Sequence, residues 1–345
     1  MDINIIIGLF IIAIGSFCQS SCYVPINKIK EWSWESYWLV QGFFAWLVFP
    51  FLGTIAAIPE GNSISELLLQ TDTFHLLMTI LFGVLWGVGG LTFGLSMRYL
   101  GVALGQSISL GTCAALGTIM GPVILNTFYP ELNPMKQLTG AVMIGVLVTL
   151  IGIAIIGIAG AMRAATLAPE TSKANKKGNS FYKGIIIALL CGFMSGCFNV
   201  GLTFGQNIHF TATPALFHTL PATFLVTLGG FFTNAVYCLY QNNKNHTWGD
   251  YAKGNTWGNN LVFCILAGGL WYSQFFGLSL GKNFLLSSPA LLTLSFCILM
   301  ALNVVFSNIW GIILQEWKGC SKKVIAILIL GVIILMISPF IPQLI

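Results

Sequence analysis

Ten apolar stretches, each close to the length that crosses a lipid bilayer, divide this sequence of 345 residues. A helix needs about 20 mostly apolar residues to span the hydrocarbon, because each residue advances the helix axis by only about 1.5 Å. We therefore predict ten transmembrane helices, at Ile5–Val24, Tyr37–Ile58, Phe74–Met97, Val102–Leu125, Gln137–Met162, Gly184–Phe204, Leu216–Tyr240, Asn260–Leu280, Ala290–Leu314 and Val324–Ile341.

The low charge content agrees with this interpretation. Only 7% of the residues are charged and 56% are hydrophobic, whereas a soluble domain carries about 25% charged residues. So few charges cannot cover a surface that faces water on all sides. The predicted fold class is an all-α polytopic membrane protein.

The predicted helices form two groups of five. A polar and basic segment, residues 163–183, separates them. We predict it as a cytoplasmic linker between a first repeat at residues 1–162 and a second repeat at residues 184–345. An odd number of helices gives the repeats opposite orientations, as in many secondary transporters. A short echo supports this division, because Phe-Gly-Leu-Ser follows both Leu85-Trp86 and Leu270-Trp271.

The basic residues predict the orientation in the membrane. The loops after the odd-numbered helices hold 13 of the 15 Lys and Arg residues, namely Lys28, Lys30, Arg98, Arg163, Lys173, Lys176, Lys177, Lys183, Lys244, Lys253, Lys318, Lys322 and Lys323. Loops rich in Lys and Arg remain in the cytoplasm. Both termini are therefore predicted to face outward.

The placement of the acidic residues restricts the solute. All ten carboxylates fall in loops or at the ends of predicted helices: Asp2, Glu31, Glu35, Glu60, Glu66, Asp72, Glu131, Glu170, Asp250 and Glu316. A transporter of organic cations usually buries an acid as counter-ion, and a metal transporter clusters His, Asp or Glu. We therefore expect a neutral, hydroxyl-rich solute, with no metal site and no cofactor.

Amides and two tryptophans at membrane depth are the candidate ligands of such a solute. We predict hydrogen bonds from sugar hydroxyls to the amides, and stacking of the sugar ring against the tryptophans. The alternative is that the amides form interhelical hydrogen bonds and the tryptophans only pack. The predicted substrate-binding residues are Gln19, Trp86, Gln106, Asn199, Gln206, Trp271 and Gln274.

Three further residues are candidates for proton coupling. His209 and His218 carry side chains that titrate near neutral pH, and Glu35 is the carboxylate closest to entering the membrane from a helix start. The alternatives are an interfacial position for the histidines and a helix N-terminal charge for Glu35.

Several motifs resemble the L-rhamnose–proton symporter family, a branch of the drug/metabolite transporter superfamily. The segment CYVPINKIKEWSWESYW at Cys22–Trp38 is similar to that family's first loop, and LWGVGGLTFGLSMRYLG at Leu85–Gly101 to its third helix. GGLWYSQFFGLSLG at Gly268–Gly281 and Gln315-Glu316-Trp317 also resemble it. The sequence departs from the family pattern at Gly89, Gly90 and Leu299.

The resemblance implies two inverted five-helix repeats and proton-driven uptake of L-rhamnose, or a related 6-deoxy sugar, across a bacterial inner membrane. An exporter of a small neutral metabolite or amino acid is the alternative. A membrane enzyme or sensor is disfavoured, because the sequence shows no nucleophile–base pair, metal cluster or phosphate loop at membrane depth. The expected partners are the sugar, protons and the lipid bilayer, and not nucleic acid. The sequence predicts no oligomeric state.

Overall fold

A computed structural model describes residues 2–100, 102–167 and 179–344. Ten helices in these ranges are long and apolar enough to cross a membrane, which confirms the predicted number and the prediction of a multi-pass membrane protein. We label them α1 to α10: Ile3–Ser21, Trp34–Ala57, Thr73–Leu100, Val102–Phe128, Gly140–Leu167, Asn179–Phe204, Leu220–Asn245, Gly254–Phe284, Pro289–Ile313 and Lys322–Ile337.

Short segments complete the helical framework. A turn of helix at Tyr23–Ile26 extends α1, and the helix Ile64–Gln70 lies between α2 and α3. Ser63 and Glu66 form a reciprocal capping box at the start of that short helix, which satisfies two backbone N–H groups that have no partner within the helix. Turns of 3-10 helix lie at Pro130–Leu132, Pro134–Gln137, Ala215–Phe217, Thr247–Ala252 and Ser338–Gln343.

Helix α2 is irregular in its middle. Residues Phe43–Val48 form a π-helical segment between two α-helical parts, and Pro50 follows it. Proline has no backbone N–H, so the carbonyl of Trp46 loses the donor that an α-helix would supply. The wider turn changes the direction in which Trp46 leaves the helix, and π segments of this kind occur frequently at functional sites.

The chain separates into two compact units. Among the described residues, unit A consists of those in the ranges 88–199 and 286–344, and unit B of residues 2–87 and 200–285. Both units draw on both halves of the sequence. The prediction of two five-helix repeats concerns sequence order and stays a prediction. Most of the predicted linker, residues 168–178, lies outside the described residues, whereas Arg163 to Leu167 continue helix α5.

In unit A, helix α5 packs against both α4 and α10. A Cβ on Gly152 would meet the Leu335 side chain, and Thr149 donates a hydrogen bond to Ser338 at 3.2 Å. Helix α9 is largely buried in this unit, and Leu299 near its middle is completely buried. The side chains of α9 therefore form much of the core of unit A.

In unit B, helices α1 and α8 approach at their glycines. A Cβ on Gly15 would lie 2.8 Å from the carbonyl oxygen of Ser273, and a Cβ on Gly281 would lie 2.8 Å from that of Gly8. Helices α3 and α7 pack in the same way, since a Cβ on Gly87 would lie 2.9 Å from the Gly230 carbonyl oxygen. Small residues allow such close contact of helix backbones in membranes.

Candidate functional site

Unit A contains a cavity of about 100 Å³ that three helices and one turn enclose. Each helix contributes residues spaced by about one helical turn, which places them on one face. The lining is Gln106, Ser107 and Leu110 of α4, Ile156, Gly160 and Arg163 of α5, Val304, Ser307, Asn308 and Gly311 of α9, and Glu316 and Trp317 of the following turn. We call this space the unit A cavity.

The turn after α9 brings a carboxylate and an indole back over the helix. Gln315 adopts a left-handed backbone conformation with φ 58°, and the N–H of Glu316 then donates to the Gly311 carbonyl at 2.8 Å. A Cβ at Gly311 would lie only 3.0 Å from Nε1 of Trp317. The absence of a side chain at Gly311 therefore lets Trp317 lie directly on the end of α9.

Arg163 connects the end of α5 to this turn. Its Nη1 lies 3.3 Å from Oε2 of Glu316, and its guanidinium carbon lies 5.2 Å from the Trp317 ring centroid. The Nε atom of Arg163 is buried and has no hydrogen-bond partner within the described ranges. Arg163 therefore lines the cavity and combines an ion pair, a cation–π contact and a buried donor that is not used.

Of the predicted substrate residues, Gln106 and Asn199 belong to unit A. Gln106 lines the unit A cavity. Asn199 donates from Nδ2 to the Gly117 carbonyl at 2.7 Å, a bond that joins α6 to α4. The position of Gln106 supports a role in substrate binding. The bond of Asn199 is instead an interhelical hydrogen bond, which is the alternative role considered for these amides.

The two predicted tryptophans meet in unit B. The ring centroids of Trp86 and Trp271 lie 5.8 Å apart with 36° between the ring planes. Trp46, from the π-helical segment, stands nearly perpendicular to both at 5.9 and 5.8 Å. Trp46 is buried, and its Nε1 has no hydrogen-bond partner among the residues described. The structure thus brings together the tryptophans that the sequence echo relates.

The remaining predicted amides occupy separate places in unit B. Gln274 is buried, and its Nε2 donates to the Trp271 carbonyl at 3.1 Å. Gln19 is half-buried in α1 and accepts from Ser20 at 3.4 Å. Gln206 is exposed in the turn that follows α6. Gln274 is therefore the amide that directly adjoins the tryptophan cluster.

The two predicted histidines form a stacked pair in unit B. Their ring centroids are 3.8 Å apart and the ring planes differ by 6°. Nδ1 of His209 lies 3.0 Å from the Phe210 carbonyl oxygen, and Nε2 of His218 lies 2.9 Å from that of Thr213. A carbonyl only accepts hydrogen bonds, so each of these ring nitrogens carries a hydrogen. The other nitrogen of each ring is the one that can take up a proton.

The histidine pair borders a larger pocket. This pocket has a volume of about 410 Å³, and its lining includes His209, His75 and Asp72. His75 is fixed by its Nδ1, which lies 2.8 Å from the Phe204 carbonyl oxygen. A carboxylate and two imidazoles therefore share this end of unit B.

Glu35 lies in a polar network at the start of α2. Its Oε1 accepts hydrogen bonds from Asn245 and Thr247, both at 3.0 Å. The hydrogen bonds join the start of α2 to the segment that follows α7. These hydrogen bonds are equally consistent with a structural role of Glu35 in unit B and with a proton-binding role.

Asp250 anchors the same network. It accepts from Ser33 N–H at 2.8 Å and from the hydroxyls of Ser33 and Ser36 at 2.7 and 2.9 Å, and Lys253 Nζ lies 2.8 Å from its Oδ1. Burial raises the pKa of Asp250, but the hydrogen bonds from Lys253, Ser33 and Ser36 lower it more, to about 2. The carboxylate is therefore ionised at neutral pH and acts as a structural acceptor.

Four residues of these sites were not predicted from the sequence. Trp46 was one apolar residue among many, and Arg163 counted only as a basic residue of a predicted cytoplasmic loop. Glu316 counted as a carboxylate at the end of a predicted helix and, with Trp317, as part of a family motif. A signal for Glu316 and Trp317 was the Gln315-Glu316-Trp317 motif directly after an apolar helix.

Comparisons with known proteins cover the whole chain. The family model described as L-rhamnose-proton symport protein (RhaT) matches residues 1–344. A protein named L-rhamnose-proton symporter from Pectobacterium atrosepticum is 30% identical over 348 residues, which cover 98% of this chain and 97% of that relative. Proteins of the same name from Yersinia pestis and Yersinia pseudotuberculosis are 29% identical over the same shares. The similarity therefore includes all ten helices.

Proposed function

Because the chain belongs to the L-rhamnose-proton symport protein family, we propose that it imports L-rhamnose, or a related 6-deoxy sugar, together with protons. The match over residues 1–344 is the observation that carries this proposal. Import would proceed by alternating access, in which the sugar site opens to one side of the membrane at a time. The activity is transport, with no chemical change in the sugar.

The polar groups of the described helices support a neutral, hydroxylated substrate. Gln106 lies in a cavity with Asn308 and two serines, and Gln274 lies beside the tryptophan cluster. Amides and hydroxyls both donate and accept hydrogen bonds, as sugar hydroxyls require. We assign sugar contacts to Gln19, Trp86, Gln106, Asn199, Gln206, Trp271 and Gln274.

For proton coupling we favour His209 and His218 over Glu35. The two imidazoles are in contact, each has one nitrogen available for a proton, and histidine changes charge within the physiological pH range. Glu35 instead accepts two hydrogen bonds from neutral groups in a packed network. The histidine pair thus offers a proton site that does not require disruption of the fold.

We further propose the membrane context. The chain would lie in a bacterial inner membrane as two inverted five-helix repeats of the drug/metabolite transporter superfamily. The Lys and Arg residues after the odd-numbered helices support cytoplasmic loops there and outward-facing termini. Single accessible cysteines introduced at Gln343 and at Lys244, tested with an impermeant maleimide on intact cells, check this orientation.

Transport in reconstituted vesicles tests the function. The purified protein in proteoliposomes should accumulate labelled L-rhamnose when the outside is more acidic than the inside, and a protonophore should abolish the accumulation. Counterflow without a gradient should persist. If neither L-rhamnose nor another 6-deoxy sugar is exchanged, whereas a neutral metabolite or amino acid is, the protein is an exporter and the proposal is refuted.

A further inference from the structure

We propose that the unit A cavity is a binding site for the sugar, in which Arg163, Glu316 and Asn308 contact its hydroxyls and Trp317 supplies an apolar face. This inference rests on the proposed function, and it adds, to the contacts assigned above in unit B, a place at which that substrate binds. Arg163 reaches the cavity from the end of α5, and the turn after α9 brings Glu316 and Trp317 to it.

The volume and the lining fit a monosaccharide. A cavity of about 100 Å³ offers on the order of eight water-sized positions, when each needs about 10–15 Å³ by the same measure. The lining combines polar and apolar groups, with amides and hydroxyls from α4 and α9 and the Trp317 indole. A sugar ring has this same combination of hydroxyl edges and apolar C–H faces.

The charges of the cavity favour a neutral ligand. Arg163 and Glu316 lie 3.3 Å apart, so the positive and negative charges at the rim compensate one another. An anion would meet the Glu316 carboxylate, and a cation would meet the Arg163 guanidinium. A pair of neighbouring hydroxyls instead satisfies both, because one oxygen accepts from the guanidinium while the other hydroxyl donates to the carboxylate.

Two groups prepare the cavity for new hydrogen bonds. The Nε–H of Arg163 is buried and has no acceptor in the part of the chain that the structure describes. A buried donor without a partner is costly, and a small movement of the Arg163 side chain, which lines the cavity, would let a ligand hydroxyl supply that partner. Asn308 donates from Nδ2 to the Val304 carbonyl at 2.8 Å, which directs its amide along α9 and holds it in place as a lining group.

The decisive variant is Arg163→Lys. Lysine keeps the positive charge and the ion pair with Glu316, but it removes the planar fork and the Nε–H donor. We expect the dissociation constant of L-rhamnose, measured by equilibrium binding to the purified protein, to rise about tenfold, which corresponds to the loss of one hydrogen bond to a charged group. Glu316→Gln should weaken binding to a similar extent.

The matched control is Lys253→Arg. Lys253 forms the other ion pair of the described residues, with Asp250 in unit B, and this change also exchanges one basic side chain for the other. It should leave the dissociation constant unchanged. Thermal unfolding of each variant identifies those that are folded, and only folded variants enter the comparison.

A second measurement does not depend on these variants. In Ser307→Cys the new thiol lies in the cavity, and L-rhamnose at saturating concentration should slow its reaction with a maleimide several-fold relative to the same protein without sugar. The native protein reports the background from its own cysteines. Protection of the introduced thiol, together with weakened binding by Arg163→Lys, supports the proposal.

The outcomes separate this inference from the proposed function. If the unaltered protein neither binds nor accumulates L-rhamnose, the proposed function fails and the inference falls with it. If the unaltered protein binds the sugar, but Arg163→Lys and Glu316→Gln bind it equally well and the thiol of Ser307→Cys is not protected, the sugar binds elsewhere. The inference is then wrong while the function stands.

Discussion

The stacked histidines make a quantitative prediction about proton stoichiometry. Two positive charges 3.8 Å apart, the ring separation of His209 and His218, repel by about 4 kcal/mol at an effective dielectric constant of about 20. This repulsion opposes the presence of a positive charge on both rings at once. Asp72 and His75 border the same pocket as His209. Their electrostatic effect applies to one bound proton as well as to two, so it does not remove the repulsion between the two rings. The pair should thus carry one proton, not two.

Substitutions can be chosen that keep the carbonyl contacts. In His209→Asn, the asparagine Nδ2 can donate to the Phe210 carbonyl in place of the imidazole Nδ1. In His218→Gln, the glutamine Nε2 can donate to the Thr213 carbonyl in place of the imidazole Nε2. Each single variant leaves one imidazole that takes one proton. The double variant has none.

The assay measures proton and sugar fluxes together in proteoliposomes, with an internal pH dye and labelled L-rhamnose. We expect a ratio of one proton per sugar for the native protein, a ratio close to one for each single variant, and a ratio near zero with loss of accumulation for the double variant. His246→Asn is the matched control, because His246 is exposed and has a left-handed backbone with φ 56°, which asparagine tolerates.

Two results would refute this reasoning. Accumulation by the double variant with an unchanged ratio would show that the proton binds to another group. A ratio of two in the native protein that halves in each single variant would show that the histidines titrate independently, in spite of their contact.

Two further predictions concern the stability of unit B. Asp250→Asn should lower the free energy of unfolding by about 2 kcal/mol, from a pKa of about 2 against an ordinary value of 3.8. Because folding lowers the pKa of Asp250, its contribution to the free energy of unfolding is complete above about pH 4 and is lost as the pH falls toward 2. Thermal unfolding of the native protein between these pH values measures this loss. If Asp250→Asn loses as much stability over the same pH range, the prediction is wrong. A Cβ on Gly230 would overlap the ring of Trp86, so Gly230→Ala should destabilise the protein by about 1–3 kcal/mol. Gly249→Ala, where a Cβ meets no atom within 4 Å, should unfold like the native protein.

The sequence was sufficient for the helices but not for their irregularities. Each apolar stretch had to become a helix, because only a helix satisfies its own backbone hydrogen bonds in lipid. The ends were less certain, since polar residues continue a helix beyond the membrane, as α5 does from Arg163 to Leu167. The π-helical segment of α2 does not change the hydropathy pattern of the sequence, so the direction of the Trp46 side chain could not be predicted.

The same reasoning explains which site residues were found. Trp86 and Trp271 stood out because the echo between α3 and α8 is visible in sequence, and the structure places their rings together. The Arg163 ion pair depends on a left-handed backbone conformation at Gln315. Glycine and asparagine favour this conformation, whereas a glutamine in the sequence does not indicate it. The contacts of Arg163 with Glu316 and Trp317 therefore could not be predicted from residue type and spacing.

The geometry of the two tryptophans also limits how they can hold a sugar. A ring sandwiched between two indoles needs about 7–8 Å between them, twice the contact distance of carbon atoms. Trp86 and Trp271 are separated by 5.8 Å, and Trp46 closes the side of the pair. A sugar in this conformation lies against one tryptophan ring and touches only the edge of the other. Trp86→Leu and Trp271→Leu should therefore weaken L-rhamnose binding unequally, by about tenfold for the tryptophan in face contact and about twofold for the other. Equal losses in equilibrium binding would mean that the rings separate and enclose the sugar.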